Sequence, residues 1–203
     1  MTNTELPWLQ PVVLSGTAVR LVPLSMDHLA PLQTAVADGE LWKLWYTNVA
    51  TVGGMAGEIE RRLKLQDAGA MLPFTVIETA TNEPVGMTTY MNVDSVAKRV
   101  EIGSTWYRKR VQRTAINSTC KLLLLEHAFE ALGVIAVEIR TAFFNAQSRR
   151  AIEALGAKLD GILRNHMLYR DGTPRDTCVY SILPNEWPAV KAHLLWRLER
   201  HAA

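Results

Sequence analysis

The sequence predicts an α+β fold. Three strand-like segments separated only by short polar turns occupy residues 72–106, and short connections favour antiparallel neighbours. A long helical run, apolar on two sides, follows at residues 114–132 and leads into a second apolar strand. An Asp-Gly turn at Asp171-Gly172 then joins the last two strand-like segments.

The elements follow in order. Ala18 to Leu24 reads as a short strand entered through Gly16 and left at Pro23. Ser25 to Asp27 offers an N-cap before Leu29, Leu32 and Val36, which share one helical face. Leu41 to Tyr46 is a second, aromatic-rich apolar stretch, and Gly53-Gly54 breaks the chain. Met55 to Asp67 resumes helical spacing, with Ile59 and Leu63 opposite Glu58, Arg61 and Arg62. Leu72–Glu78, Val85–Val93 and Arg99–Trp106 are the three strands of the meander. The helix predicted over Thr114–Leu132 stops at Gly133. Val134–Thr141 is the strand after it, and a strand–helix–strand order makes its two strands parallel. Asn145 caps a helix to Leu155 that stops at Gly156. Leu159–Leu168 and Asp176–Leu183 form the hairpin, and Trp187–Arg200 is an amphipathic last helix with Pro188 in its first turn. No linker interrupts this order, so residues 1–203 are expected to form one domain, with a core over 17–190 and a terminal helix over 186–200.

Composition narrows the function classes. The chain is 48% hydrophobic and 21% charged, which excludes collagen-like and disordered readings. Lys and Arg total 22 against 20 Asp and Glu, too small an excess to favour nucleic acid or a membrane surface as partner. Cys120 and Cys178 lie in no metal-ligating spacing, and no metal is expected. Met1 to Pro11 lacks the charge and apolar run of a leader, and no stretch is apolar enough to span a bilayer, so a cytoplasmic protein is expected.

Two stretches carry chemistry. Arg108, Lys109, Arg110 and Arg113 place four cations between a strand end and a helix start. Unpaired amides and the positive end of the helix dipole suit that position to a pyrophosphate; a solvated loop of charges is the alternative. Asn145 and Ser148 sit at the start of another helix, where Asn145 serves as a cap and the Ser148 hydroxyl either stabilises the turn or donates a proton.

The order of elements resembles the GNAT acetyltransferase superfamily, closest to its branch of ribosomal-protein N-terminal acetyltransferases. Four segments carry the resemblance: Glu101-Ile102-Gly103 with Trp106, Arg110 to Ile116, Asn145 to Leu155 followed by Gly156, and Gly161 to Arg164 with Asp171-Gly172, Arg175-Asp176 and Val179 to Ser181. One segment departs from the family's pattern. In its pyrophosphate loop Arg113 and Ala115 occupy the two glycine positions, so Arg113 must either take an ordinary φ or tolerate strain.

The resemblance implies a mixed, mostly antiparallel central sheet whose fourth and fifth strands splay apart, flanked by helices. It implies transfer of an acetyl group from acetyl-CoA to a primary amine of a small molecule or peptide, by a monomer or homodimer. Backbone around Trp106 and Arg108 would pair with pantetheine. Arg110, Val111, Gln112, Arg113, Thr114, Ala115 and Ile116 would form the pyrophosphate loop, Asn145 would reach the pantetheine arm, and Arg149 or Arg150 would lie along the adenosine. Ser148 is the expected proton donor to the departing sulfur, and Glu101 the expected base, unless an ion pair with Arg99 or another neighbour holds it. Asp176, His166 and His127 are weaker candidates. Trp42, Trp45 and Tyr46 line the acceptor pocket or pack in the core. A non-catalytic acyl-CoA sensor, a succinyl-CoA-dependent enzyme and a nucleic-acid binder are the competing readings.

Overall fold

A computed structural model describes residues 8–202; the first seven residues of the segment inspected for a leader lie outside it. Eight strands form one sheet: β1 (Leu14–Ser15), β2 (Val19–Pro23), β3 (Met71–Glu78), β4 (Glu83–Asp94), β5 (Arg99–Tyr107), β6 (Ala136–Ala142), β7 (Lys158–Leu168) and β8 (Pro174–Ile182). Their spatial order is β1-β2-β3-β4-β5-β6-β8-β7, and only β5 and β6 run parallel. The two-residue β1 is too short to register in the sequence pattern. It shifts the count, so the fourth and fifth strands of the sequence reading are β5 and β6.

The helices are α1 (Leu29–Ala37), α2 (Met55–Asp67), α3 (Ala115–Glu126), α4 (Ala146–Glu153) and α5 (Trp187–Ala202). On one sheet face α1 and α2 bury Leu32, Val36, Met55 and Ile59 against Leu24, Met87 and Trp106. The other face carries the larger core, where Ile116, Leu124, Leu125, Ile152 and Leu194 meet Val137, Ile139 and Tyr180. That explains the two apolar stripes of α3. Leu41–Tyr46 yields only a short 3-10 turn at Leu41–Lys43 before an irregular loop.

The helix expected to reach Leu132 loses its regular winding after Glu126. Residues His127–Ala131 form a wider π turn, with Leu132 N donating to His127 O at 3.0 Å. The cause lies across the core: the buried Tyr90 hydroxyl donates to the Leu124 carbonyl and lies 3.3 Å from His127 Nδ1. A side chain inserted at a helix carbonyl is a known source of such irregularity. His127 is thereby a packed residue.

Glycine is required where β4 passes β5: a Cβ on Gly86 would collide with the Trp106 carbonyl oxygen. Among the described residues no helix is long and apolar enough to cross a membrane.

Candidate active site

β5 and β6 are paired only at Arg99↔Ala136, Val100↔Val137 and Glu101↔Glu138. Beyond that point β5 continues to Tyr107 and β6 to Ala142 without pairing, so the sheet opens into a wedge. Parallel strands end at the same side. The N-termini of α3 and α4, which follow β5 and β6, therefore both sit at the open mouth. The β7–β8 turn lies there too, because β8 starts alongside the end of β6.

One lip of the wedge is shaped by a bulge. Met87 pairs with Trp106 and Thr89 with Gly103, which leaves β5 one residue in excess. Ser104 absorbs it at φ +47°. Such bulges turn backbone groups out of the ladder. The Ser104 carbonyl is fixed by Arg62 of α2, whose Nη2 donates to it at 3.0 Å; Arg62 Nη1 donates to Thr89 Oγ1 at 2.7 Å and Nε to Glu58 at 2.7 Å. Sequence reading placed Arg62 on the polar face of its helix. It is 3% exposed, and only the tertiary pairing shows its role.

The segment from Arg110 to Ile116, expected to hold a pyrophosphate, makes a left-handed turn despite the substitution. Arg113 stands at φ +64°, the left-handed conformation that the missing glycine would take. Thr114 caps α3, accepting from Ile116 N at 3.3 Å and donating to Val111 O at 2.7 Å. The Arg113 and Thr114 amides bond no backbone carbonyl, as expected of a helix N-terminus prepared for an anion. A non-glycine residue in this region carries about 1 kcal/mol of strain. Because that strain is carried with or without a ligand, Arg113→Gly is expected to leave CoA affinity within about twofold if the backbone alone binds, and to lower it if the guanidinium contributes. Calorimetric titration with CoA distinguishes the two.

The neighbouring cations do not all face the loop. Arg108 is paired with Asp38 at 3.2 Å and reaches Glu83 at 3.5 Å. Arg110 makes a two-pronged contact with Glu78 at 2.6 and 3.1 Å. Asp38 also accepts from Arg110 N, so the end of α1 is hooked to the strand exit. These two side chains are structural clamps; what they leave for an anion is backbone. The exposed Arg113 side chain has no hydrogen-bond partner among the described residues.

At the second helix, Asn145 Oδ1 accepts from Ser148 N at 3.0 Å. Ser148 is half-buried, and its hydroxyl has no hydrogen-bond partner among the described residues. Arg149 turns back to the sheet, donating to the Tyr180 hydroxyl at 3.2 Å and lying 4.9 Å from the Phe143 ring centroid. Its guanidinium is thereby engaged by the sheet, while Arg150 is exposed.

At the vertex, Glu101 is 5% exposed and accepts from Asn92 Nδ2 at 2.7 Å. Its ion-pair partner is Arg140, at 3.4 Å, not Arg99, which pairs with Glu138. Burial, outweighing Asn92 and Arg140, raises the Glu101 carboxyl above its ordinary value. Asp176 is tied to Arg164 Nε at 2.6 Å and to Asn165 N at 2.8 Å, and His166 lies 3.2 Å from Thr177 Oγ1.

On the α3 side of the wedge Lys121 is buried, with Thr105 Oγ1 at 3.5 Å as its hydrogen-bond partner. Burial pulls its ammonium down from the ordinary 10.5 to about 8. Between those two pH values the unfolded chain holds the extra proton, so the penalty from Lys121 fades as pH rises through that window. Lys121→Met is expected to be the more stable protein at pH 7, by up to about 3 kcal/mol, with the difference shrinking towards pH 10. Paired urea titrations at the two pH values check this; buried tyrosines and cysteines common to both proteins cancel.

The mouth is roofed by the loop after α1. Arg170 of the β7–β8 turn donates to Val49 O at 2.7 Å, Asn48 Oδ1 at 3.2 Å and Trp42 O at 3.3 Å. Trp45 is 55% exposed, with ring centroids of Tyr169 at 4.8 Å and Phe144 at 5.6 Å. Trp42 instead packs against the α1–α2 core. The aromatic stretch thus divides between core and mouth.

Known proteins share this arrangement. A GCN5-related N-acetyltransferase structure from Brucella melitensis superposes with a TM-score of 0.83 at 30% identity, covering 94% of this chain and 87% of that one. The Mycobacterium smegmatis RimJ structure shares the fold, with a TM-score of 0.79 at 21% identity over 94% of this chain and 96% of that one. The Bacillus subtilis (strain 168) protein named "Putative ribosomal N-acetyltransferase YdaF" is 34% identical over 106 residues, 52% of this chain and 57% of that protein. The chain thus matches little more than half the length of that curated relative. Residues 18–158 match the family model described as Acetyltransferase (GNAT) domain. That span runs from β2 through both lips of the wedge and α4 to the first residue of β7, and it places the chain in the GNAT acetyltransferase family.

Proposed function

We propose that the protein is an acetyl-CoA-dependent N-acetyltransferase acting on a primary amine. The observation that carries this reading is the wedge: two parallel strands part after three register pairs, and two helix N-termini end at its mouth. The chain's own residues fit coenzyme A. Beyond Glu101 β5 has no β6 partner, which leaves an open strand edge of the kind pantetheine amides need, whereas the Arg108 amide and carbonyl are already taken by Val85 O and Val111 N. The Arg113-to-Ile116 segment retains the left-handed turn and helix start that a pyrophosphate needs. The M. smegmatis protein of this fold was solved with CoA-disulfide.

Acetyl-CoA, when bound, supplies an activated acyl thioester. The bulge at Ser104 holds backbone amides against developing negative charge on the carbonyl oxygen. Ser148, its hydroxyl uncommitted, gives a proton to the departing sulfur. Glu101 accepts the amine's proton through a water; its raised carboxyl is a better base at neutral pH than an exposed glutamate. The Asn145 cap aims Ser148 by fixing the first turn of α4.

The test is acetyl transfer from acetyl-CoA to a panel of amines, read by thiol release, beside the melting-point shift on adding CoA. Glu101→Gln is expected to lower kcat/KM by about 10- to 100-fold and to remove the acid limb of its pH profile. No turnover of any amine, with CoA still binding, would leave the chain an acyl-CoA-binding protein.

A further inference from the structure

The roofed mouth contains two arginines without a carboxylate partner. Arg170 spends its donors on two backbone carbonyls and an amide. Arg175, at the start of β8, is half-buried, and its Nε is shut off from water with no hydrogen-bond acceptor. The Tyr169 hydroxyl, on a residue 7% exposed, is likewise buried and unpartnered. Orphaned buried donors are rare, and each costs about 1–3 kcal/mol. Two at one mouth call for an acceptor from outside the chain, water or ligand.

Register places Arg175 at the mouth end of β8, one strand over from the open end of β6. β8 pairs with β6 without interruption from Thr177↔Ala142 to Ile182↔Val137. Strand alternation then puts Arg175 on the face shared by Thr177, Val179 and Ser181. Val179 and Ser181 line a groove of about 450 Å³ together with Glu138 and Arg140, beside the wedge vertex. Arg175 pairs with Met167 of β7, which sets it directly beneath the turn that carries Tyr169 and Arg170. The nearby acids are committed elsewhere: Asp176 to Arg164, Glu138 to Arg99 and Arg140, and Asp171 to the Thr173 amide of its own turn.

We infer that the acceptor amine carries an oxyanion group, a carboxylate or a phosphate, which seats on the Arg175 guanidinium and the Tyr169 hydroxyl beneath the Arg170 bridge. This rests on the acetyl-transfer reading and names its acceptor class. Arginine suits such a group because its planar fork matches two oxygens. The amine at the other end of the acceptor then lies towards Glu101 and the wedge.

The experiment compares amines of equal chain length ending in carboxylate, phosphate or neutral amide, with kcat/KM corrected for the free-amine fraction. The better anionic amine is expected to exceed the amide by about 10- to 100-fold, the range of a charge-assisted pair. Whichever anion leads identifies the source. Arg175→Gln should collapse that ratio to within about twofold, Arg175→Lys should retain part of it, and Tyr169→Phe should lower it about threefold. The melting shift with CoA confirms that each variant is folded. Equal turnover of anionic and amide acceptors, or a ratio unchanged in Arg175→Gln, overturns the inference and leaves acetyl transfer intact. Absence of turnover with every amine overturns both.

Discussion

Replacing Ser148 by alanine is expected to lower kcat about 100-fold while leaving the affinity for CoA within about threefold. The side chain makes no hydrogen bond among the described residues, and the α4 cap runs from the Ser148 amide to Asn145, which alanine preserves. The loss should therefore fall on the chemical step and not on stability. It should be largest for acyl donors whose departing thiol has a high pKa, because those most need a proton, and smallest for activated aryl thioesters. Stopped-flow thiol release with both donor types checks this. Equal losses with the two donors would assign Ser148 to positioning.

Arg62→Met carries the second large effect, on stability and rate together. The substitution removes three hydrogen bonds, the one to Thr89 buried and the other two part-buried, while nearly conserving side-chain length. Glu58 keeps its two bonds to Arg61, so no carboxylate is stranded. Thr89 Oγ1 and the Ser104 carbonyl lose a strong donor in a dry setting. A cost of about 3 kcal/mol is expected, read as a lower urea midpoint. The Ser104 bulge then loses its brace from α2, and kcat/KM should fall a further 10-fold or more, since small displacements at a reacting centre are expensive. Normal turnover in a destabilised Arg62→Met protein would show that β4 alone sets the bulge.

The sequence made most of the scaffold legible because its periods were clean. The meander, the α3 crossover, the Asp-Gly hairpin and both helix starts at Thr114 and Asn145 lie where local chemistry placed them. What stayed hidden depends on partners far along the chain. Tyr90 acts on a helix 34 residues away, so the π turn has no local signal. Arg108 and Arg110 read as a phosphate cluster until Asp38, Glu78 and Glu83 are brought to them. Arg62 and Arg170 carry no mark in their own helix or turn, yet one braces the bulge and the other bolts the roof. At Arg113 the residue type argued against a positive φ, and the loop holds it there regardless.

The brevity of the β5–β6 ladder has a mechanical consequence. With three register pairs joining them, the β1–β5 and β6–β8 halves are set like two covers of a book, bound across one face by the core that runs from Leu21 and Tyr90 to Val137 and Tyr180. The ion pairs Arg99–Glu138 and Arg140–Glu101 stitch its spine, and the Arg170 contacts with residues 42–49 form a clasp at the opposite edge. Every bond in that clasp goes to an uncharged oxygen, so it releases at lower cost than the spine. The clasp is thus the weaker of the two fastenings across the wedge.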